Sequence, residues 1–153
     1  MSGSGAPQLE VSGAGKKIYV VATSWHPTIM DGLIQGALAE LEKSGANNVV
    51  LQRLPGAFEL PLAASYAIDQ GADAVIALGV VIRGETPHFD YVCQSATDGL
   101  TSLQLSRKTP IGFGLLTVDD EAQALSRAGL ETSKEDKGAE AVQAALHMLS
   151  LRP

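Results

Sequence analysis

The chain has 153 residues, 45% hydrophobic and 18% charged, enough to bury one core without disulfides or a structural metal. No apolar run approaches the ~18 residues that cross a bilayer, and the Gly- and Ser-rich opening MSGSGAPQLEVSGAG lacks the basic start and apolar stretch of a signal peptide. A formal charge of -6 without a Lys/Arg cluster argues against nucleic acid, which needs a basic stripe, and the lone Cys93 fits a reducing, cytoplasmic setting.

After a flexible start over 1–15, the apolar, β-branched run from Ile18 to Thr23 predicts a strand. Ile29, Met30, Leu33, Ile34, Ala37, Leu38 and Leu41 then recur three and four residues apart. With Pro27 at the first helical position and Gly45 beyond the end, they predict a helix over Pro27–Ser44. Asn48–Leu54 reads as a second strand, Pro61–Gln70 as a second helix, Asp73–Ile82 as a third strand and Pro87–Arg107 as a third helix. Ile111–Val118 is the fourth strand, Asp119 is placed to cap a short helix reaching Arg127 and stopping at Gly129, and a last helix covers Lys134–Leu149. Strands apolar throughout, alternating with amphipathic helices, imply a parallel sheet covered on both faces. The expected fold is a three-layer, flavodoxin-like α/β sandwich with a four-stranded parallel sheet, forming one domain over 16–153.

In open α/β sheets ligands bind beyond the carboxyl ends of the strands. Three strand-to-helix turns, TSWHP (Thr23 to Pro27), LPGAFELP (Leu54 to Pro61) and RGETPH (Arg83 to His88), each end on proline where a helix begins. They should bring Trp25, His26, Phe58, Glu59, Thr86 and His88 into one neighbourhood. Thr86 ahead of Pro87 reads as an N-cap, leaving amide donors and the positive end of a helix dipole beside Gly84 and Glu85, a setting for an anion. His88 in the same turn could exchange protons with a bound substrate. Each feature also has a plainer reading: Thr86-Pro87 as a cap, Trp25 as a rim aromatic, Glu59 as a cap for the next helix, and His26 and His147 as surface or helix residues. The glycines match neither phosphate-binding fingerprint, and no His, Cys, Asp or Glu spacing suits a metal.

The block GVVIRGETPHFDYV, with PGAFELP upstream and PIGFGLLT, RAG and DKG downstream in that order, resembles the 6,7-dimethyl-8-ribityllumazine synthase family over nearly the whole domain. The resemblance implies a transferase of riboflavin biosynthesis. It would condense 5-amino-6-(D-ribitylamino)uracil with 3,4-dihydroxy-2-butanone 4-phosphate, releasing phosphate and water without cofactor or metal. It further implies that Trp25, Ala57, Phe58 and Glu59 hold the pyrimidinedione and its ribityl chain and that Val80, Val81 and Ile82 offer backbone hydrogen bonds. Glu85, Thr86 and Arg127 match phosphate-binding positions, His88 the proton-transfer residue, Phe113 the ring that closes over the uracil, and Lys137 a ribityl contact. Glu85 departs from the uncharged residue common there, so its amide would serve the phosphate while the carboxylate turns away.

Arg127, seven residues into its expected helix, should lie roughly 10 Å from the edge that bears His88, and Phe113 comes early in its strand. Both would then complete a neighbour's site in a closed ring. The resemblance agrees, since the family forms homopentamers, in some members assembled into sixty-subunit shells; the long polar LETSKEDKG connection favours a free pentamer. The alternatives are a module that binds a flavin or similar heterocycle without turnover, and a shell protein with a vestigial site.

Overall fold

The computed structural model describes residues 3–153. Four parallel strands, β1 (Lys17–Thr23), β2 (Asn48–Leu54), β3 (Ala74–Ile82) and β4 (Ile111–Val118), form one sheet in the order β2-β1-β3-β4. Five α-helices, α1 (Pro27–Lys43), α2 (Leu60–Asp69), α3 (His88–Arg107), α4 (Glu121–Leu125) and α5 (Lys137–Ser150), alternate with or follow the strands. The three-layer α/β architecture expected from the sequence is the one observed.

The layers follow from the period of two along a strand, which sends successive side chains to opposite faces. On β1, Ile18, Val20 and Ala22 enter the cluster with Leu33, Ala37 and Leu41 of α1 and Val142, Ala145 and Leu146 of α5. Tyr19 and Val21 enter the other cluster, with Ala64 and Ala67 of α2 and Val92, Ala96 and Leu100 of α3. β3 divides likewise, so neither central strand has a face for water. α1 and α5 approach closely because Gly138 lies against the Leu33 carbonyl, where a Cβ would overlap the backbone oxygen. The start of the chain is drawn to the same side: Val11 packs on that cluster and the Gly13 amide donates to the Ser44 carbonyl at 2.9 Å.

Several boundaries, and the cap of one helix, differ from the sequence reading. The short helix ends at Leu125 rather than reaching Arg127, because the Ser126 carbonyl accepts the amides of Lys134 (2.9 Å) and Glu135 (3.0 Å) and cannot continue a helical ladder. The same returning segment, bridged from Ala128 to Asp136, delays the last helix from Lys134 to Lys137, with the Asp136 carboxylate capping the Ala139 amide at 2.9 Å. Asp120, not Asp119, caps α4, accepting the Gln123 amide at 2.8 Å; Asp119 is drawn instead to Arg83, whose Nε donates to it at 2.9 Å. The third helix begins at His88, one residue later than expected, and Thr86 Oγ1 accepts the His88 amide only at a long 3.4 Å.

Candidate active site

β1 lies between β2 and β3, so the winding reverses there and a crevice opens at the carboxyl ends of the strands. It is a pocket of about 370 Å³. Trp25 and His26 enter it from the turn after β1, Pro55 to Glu59 from the turn after β2, Val80, Val81 and Ile82 from the end of β3, and His88 and Val92 from α3.

Local bonds fix the first two turns to each other. Ser24 donates through its amide to the Pro55 carbonyl (3.2 Å) and through Oγ to the Leu54 carbonyl (2.9 Å). Arg53 donates to the carbonyls of Ala22 (3.3 Å) and Thr23 (2.8 Å). Trp25, 67% exposed, stands beside Gly56, where an added Cβ would come 3.4 Å from the indole nitrogen. The Glu59 carboxylate accepts the Gly56 amide at 2.9 Å while the Glu59 amide donates back to the Gly56 carbonyl at 3.1 Å, closing the loop that carries Ala57 and Phe58. Ala57 is buried, and Phe58 projects outward to meet the His88 ring. An indole and a phenyl ring exposed at the mouth of a pocket lined by β3 backbone suit a flat heterocycle with polar edges.

His26 takes a left-handed conformation, φ 57°, and caps α1 without a side-chain bond. Its ring centroid lies 6.4 Å from that of Trp25. The sequence groups His26 with Trp25, Phe58, Glu59 and His88, with a surface or helix place as its plainer reading; the structure lines the pocket with it, together with Pro55, Gly56 and Val92. Val92 was legible in principle, standing one helical turn after His88.

Glu85 and Thr86 are exposed on the turn before α3, beside the pocket rather than in its lining. The turn is bordered by Arg83, whose guanidinium reaches Asp119 at 2.9 Å and Asp90 at 3.5 Å and lies 4.3 Å from the centroid of Phe89. The hydrogen bond to Asp119 raises its pKa, with both carboxylates adding to the effect against a smaller desolvation.

Phe113, Arg127 and Lys137 lie elsewhere. Phe113 is opposite Ala77 on β3, three residues before Val80 and so about 10 Å along the strand from the pocket. It lines a mostly apolar cavity of about 670 Å³ between β4, α5 and residues 5–9, which Lys137 borders too. Burial disfavours the charged Lys137 ammonium, but Glu140 at 2.9 Å and Glu135 at 3.6 Å more than offset this and raise its pKa. Arg127 donates to the Gln123 carbonyl at 2.8 Å and approaches Glu135 at 3.7 Å. Among the described residues no group of three or more His, Cys, Asp or Glu side chains is placed to hold a metal ion. No described helix is long and apolar enough to cross a membrane.

The family model for 6,7-dimethyl-8-ribityllumazine synthase matches residues 15–152. Among similar proteins, 6,7-dimethyl-8-ribityllumazine synthase of Kineococcus radiotolerans is 62% identical, the match covering 95% of this chain and 91% of that protein. The Streptomyces coelicolor protein of the same name is 54% identical over 95% and 91% of the two chains, and that of Cutibacterium acnes 56% over 97% and 89%.

Proposed function

Since the chain belongs to the 6,7-dimethyl-8-ribityllumazine synthase family, we propose that it condenses 5-amino-6-(D-ribitylamino)uracil with 3,4-dihydroxy-2-butanone 4-phosphate to give the lumazine, phosphate and water. The observation that carries this reading is the meeting of Trp25, Phe58 and His88 around one pocket at the strand ends. The pyrimidinedione lies against Trp25, with Ala57, Phe58 and Glu59 around the ring and ribityl chain and the β3 backbone at Val80, Val81 and Ile82 meeting its polar edge.

The amine of the uracil adds to the butanone carbonyl, loses a proton and expels water to form an imine. Removal of a proton beside that imine then drives out phosphate, and after the resulting enol becomes a ketone the ribitylamino nitrogen attacks that carbonyl and closes the second ring with loss of a second water. His88, at the pocket wall where α3 begins, takes up and returns these protons in turn, since an imidazole nitrogen can both accept and donate a proton. Binding both substrates in one pocket makes a bimolecular addition effectively unimolecular. Phosphate sits at the turn before α3, held by the Glu85 amide and the Thr86 hydroxyl, with the Glu85 carboxylate facing water. Arg127 adds a permanently charged forked donor.

Phe113, Arg127 and Lys137 lie away from the pocket of their own chain, which favours a homopentameric ring in which these three serve a neighbour's site. The ring is expected to work in the cytoplasm as a single-domain enzyme spanning 16–153. Incubating the protein with both substrates and following lumazine and phosphate together tests the reaction. Equal appearance of the two, above the uncatalysed rate, supports it, and no acceleration in assembled protein overturns it.

A further inference from the structure

We propose that Arg83 is a positioning residue for this reaction: its guanidinium orients the turn that carries His88 and, through Asp119 and Gln123, the segment that presents Arg127. The inference rests on the reading of the pocket given above and deepens it.

Arg83 is the first residue past β3, and its amide still donates to the Val118 carbonyl of β4 at 2.9 Å. Its side chain then holds three groups at once. Nε donates to Asp119 Oδ1 at 2.9 Å, Nη1 lies 3.5 Å from Asp90 Oδ1, and the guanidinium carbon stands 4.3 Å from the centroid of the Phe89 ring. Phe89 and Asp90 directly follow His88, so two of the contacts grip the first turn of α3. No strong side-chain cap supports that turn: Pro87 occupies the cap position without one, and the Thr86 hydroxyl is 3.4 Å from the His88 amide, leaving the backbone bond from the Asp90 amide to the Pro87 carbonyl at 2.9 Å and the Phe58 ring beside His88.

The third contact leads the other way. The Asp119 amide donates to Gln123 Oε1 at 2.8 Å, the Gln123 amide donates to Asp120 at 2.8 Å, and the Gln123 carbonyl accepts Arg127 Nη1 at 2.8 Å. A continuous set of bonds therefore runs from the turn of His88 to the guanidinium of Arg127.

Stability does not explain this arrangement. The Arg83 side chain is 48% exposed and both carboxylates 66%, and pairs so open to water contribute little to folding. What a flat, forked cation gives is direction, since one rigid group engages two carboxylates and a ring face. Lysine would keep the charge and lose the fork. The chemistry is sensitive to such placement, because a shift of ~1 Å at a reacting group costs about 10²-fold.

The test compares wild type, Arg83→Gln, Arg83→Lys and Asp119→Asn as full-length, assembled proteins, with each substrate varied in turn. The expected result for Arg83→Gln is a kcat lower by about 10- to 100-fold, with the KM for the ribitylaminouracil within about twofold of wild type. Arg83→Lys should recover only a minor part, and Asp119→Asn should fall in the same direction by less. A kcat for Arg83→Gln within twofold of wild type, or a rise in both KM values at unchanged kcat, overturns the proposal. If Arg83→Gln fails to assemble, the surface change Asp119→Asn decides, and an unaltered kcat in that variant overturns it. A wild type without turnover overturns the reading of the pocket itself, an outcome separated from the others by the parallel wild-type assay.

Discussion

His88 and Phe58 meet edge to face, with ring centroids 5.7 Å apart and planes at 61°. The contact joins the first turn of α3 to the loop after β2 across the pocket, so the proposed proton-transfer residue and a proposed part of the ring-binding wall are placed by one another. His88→Ala is expected to lower turnover by about 10²- to 10⁴-fold, the range for loss of a positioned acid–base group. Binding of the ribitylaminouracil, followed by fluorescence of Trp25, should persist. Wild-type rates in this variant would assign proton transfer to another group.

Trp25→Ala removes a ring from the pocket mouth and leaves the proton chemistry in place. An aromatic contact worth ~0.5–1.5 kcal/mol corresponds to roughly a 2- to 10-fold rise in the KM for the uracil substrate, with kcat less affected. Equal loss in kcat and no change in KM would mean that the indole acts on the transition state rather than on binding.

The division of residues between two parts of the chain has a direct test. His88→Ala and Arg127→Ala proteins, each nearly inactive, are unfolded, mixed and reassembled. Rings in which one chain supplies His88 and the next supplies Arg127 regain activity at a fraction of their sites. A mixture as inactive as its parents would place both residues in one chain's site.

Gly138→Ala is expected to destabilise, because the added Cβ meets the backbone carbonyl of Leu33, which cannot swing aside as a side-chain tip could. Overpacking of this kind costs about 1–3 kcal/mol, read as a lower urea midpoint. The outcome to set against this is an unchanged midpoint, which would mean that α1 and α5 separate without cost.

Burial, with a further contribution from Asp90 that outweighs the opposing Arg83, pushes the Cys93 thiol above its ordinary pKa. The folded state therefore holds its proton to higher pH than the unfolded chain, and this contribution to stability is full below the unfolded pKa and lost as pH rises through the folded one. Alkylation by iodoacetamide near pH 8 should be slower in the native protein than in urea. Equal rates would show a thiol as accessible and as acidic as in the unfolded chain.

The sheet was legible because its strands are short apolar runs set between helical patterns, and Asn48–Leu54 and Ile111–Val118 begin and end where the pattern does. The segment from Asp119 to Lys137 was not. Its form depends on Ser126 and Ala128 pairing with residues 134–136, contacts between separated residues that local propensity does not encode. The pocket was legible through the three proline-ended turns, which had to share an edge of a parallel sheet. His26 came into the same neighbourhood with those turns, whereas the threefold grip of Arg83 was hidden, since it depends on how segments after different strands approach one another.

The left-handed backbone at His26 sets which residues this place accepts, ahead of any chemistry. A β-branched side chain there would meet its own main chain, whereas His, Asn, Asp and Gly tolerate such a φ. Variation at this wall of the pocket is thus confined to a short alphabet, most of it polar. Any attempt to recast the pocket for a more greasy ring by placing Val or Ile at position 26 would first unsettle the start of α1, and would have to rebuild that turn before its selectivity could change.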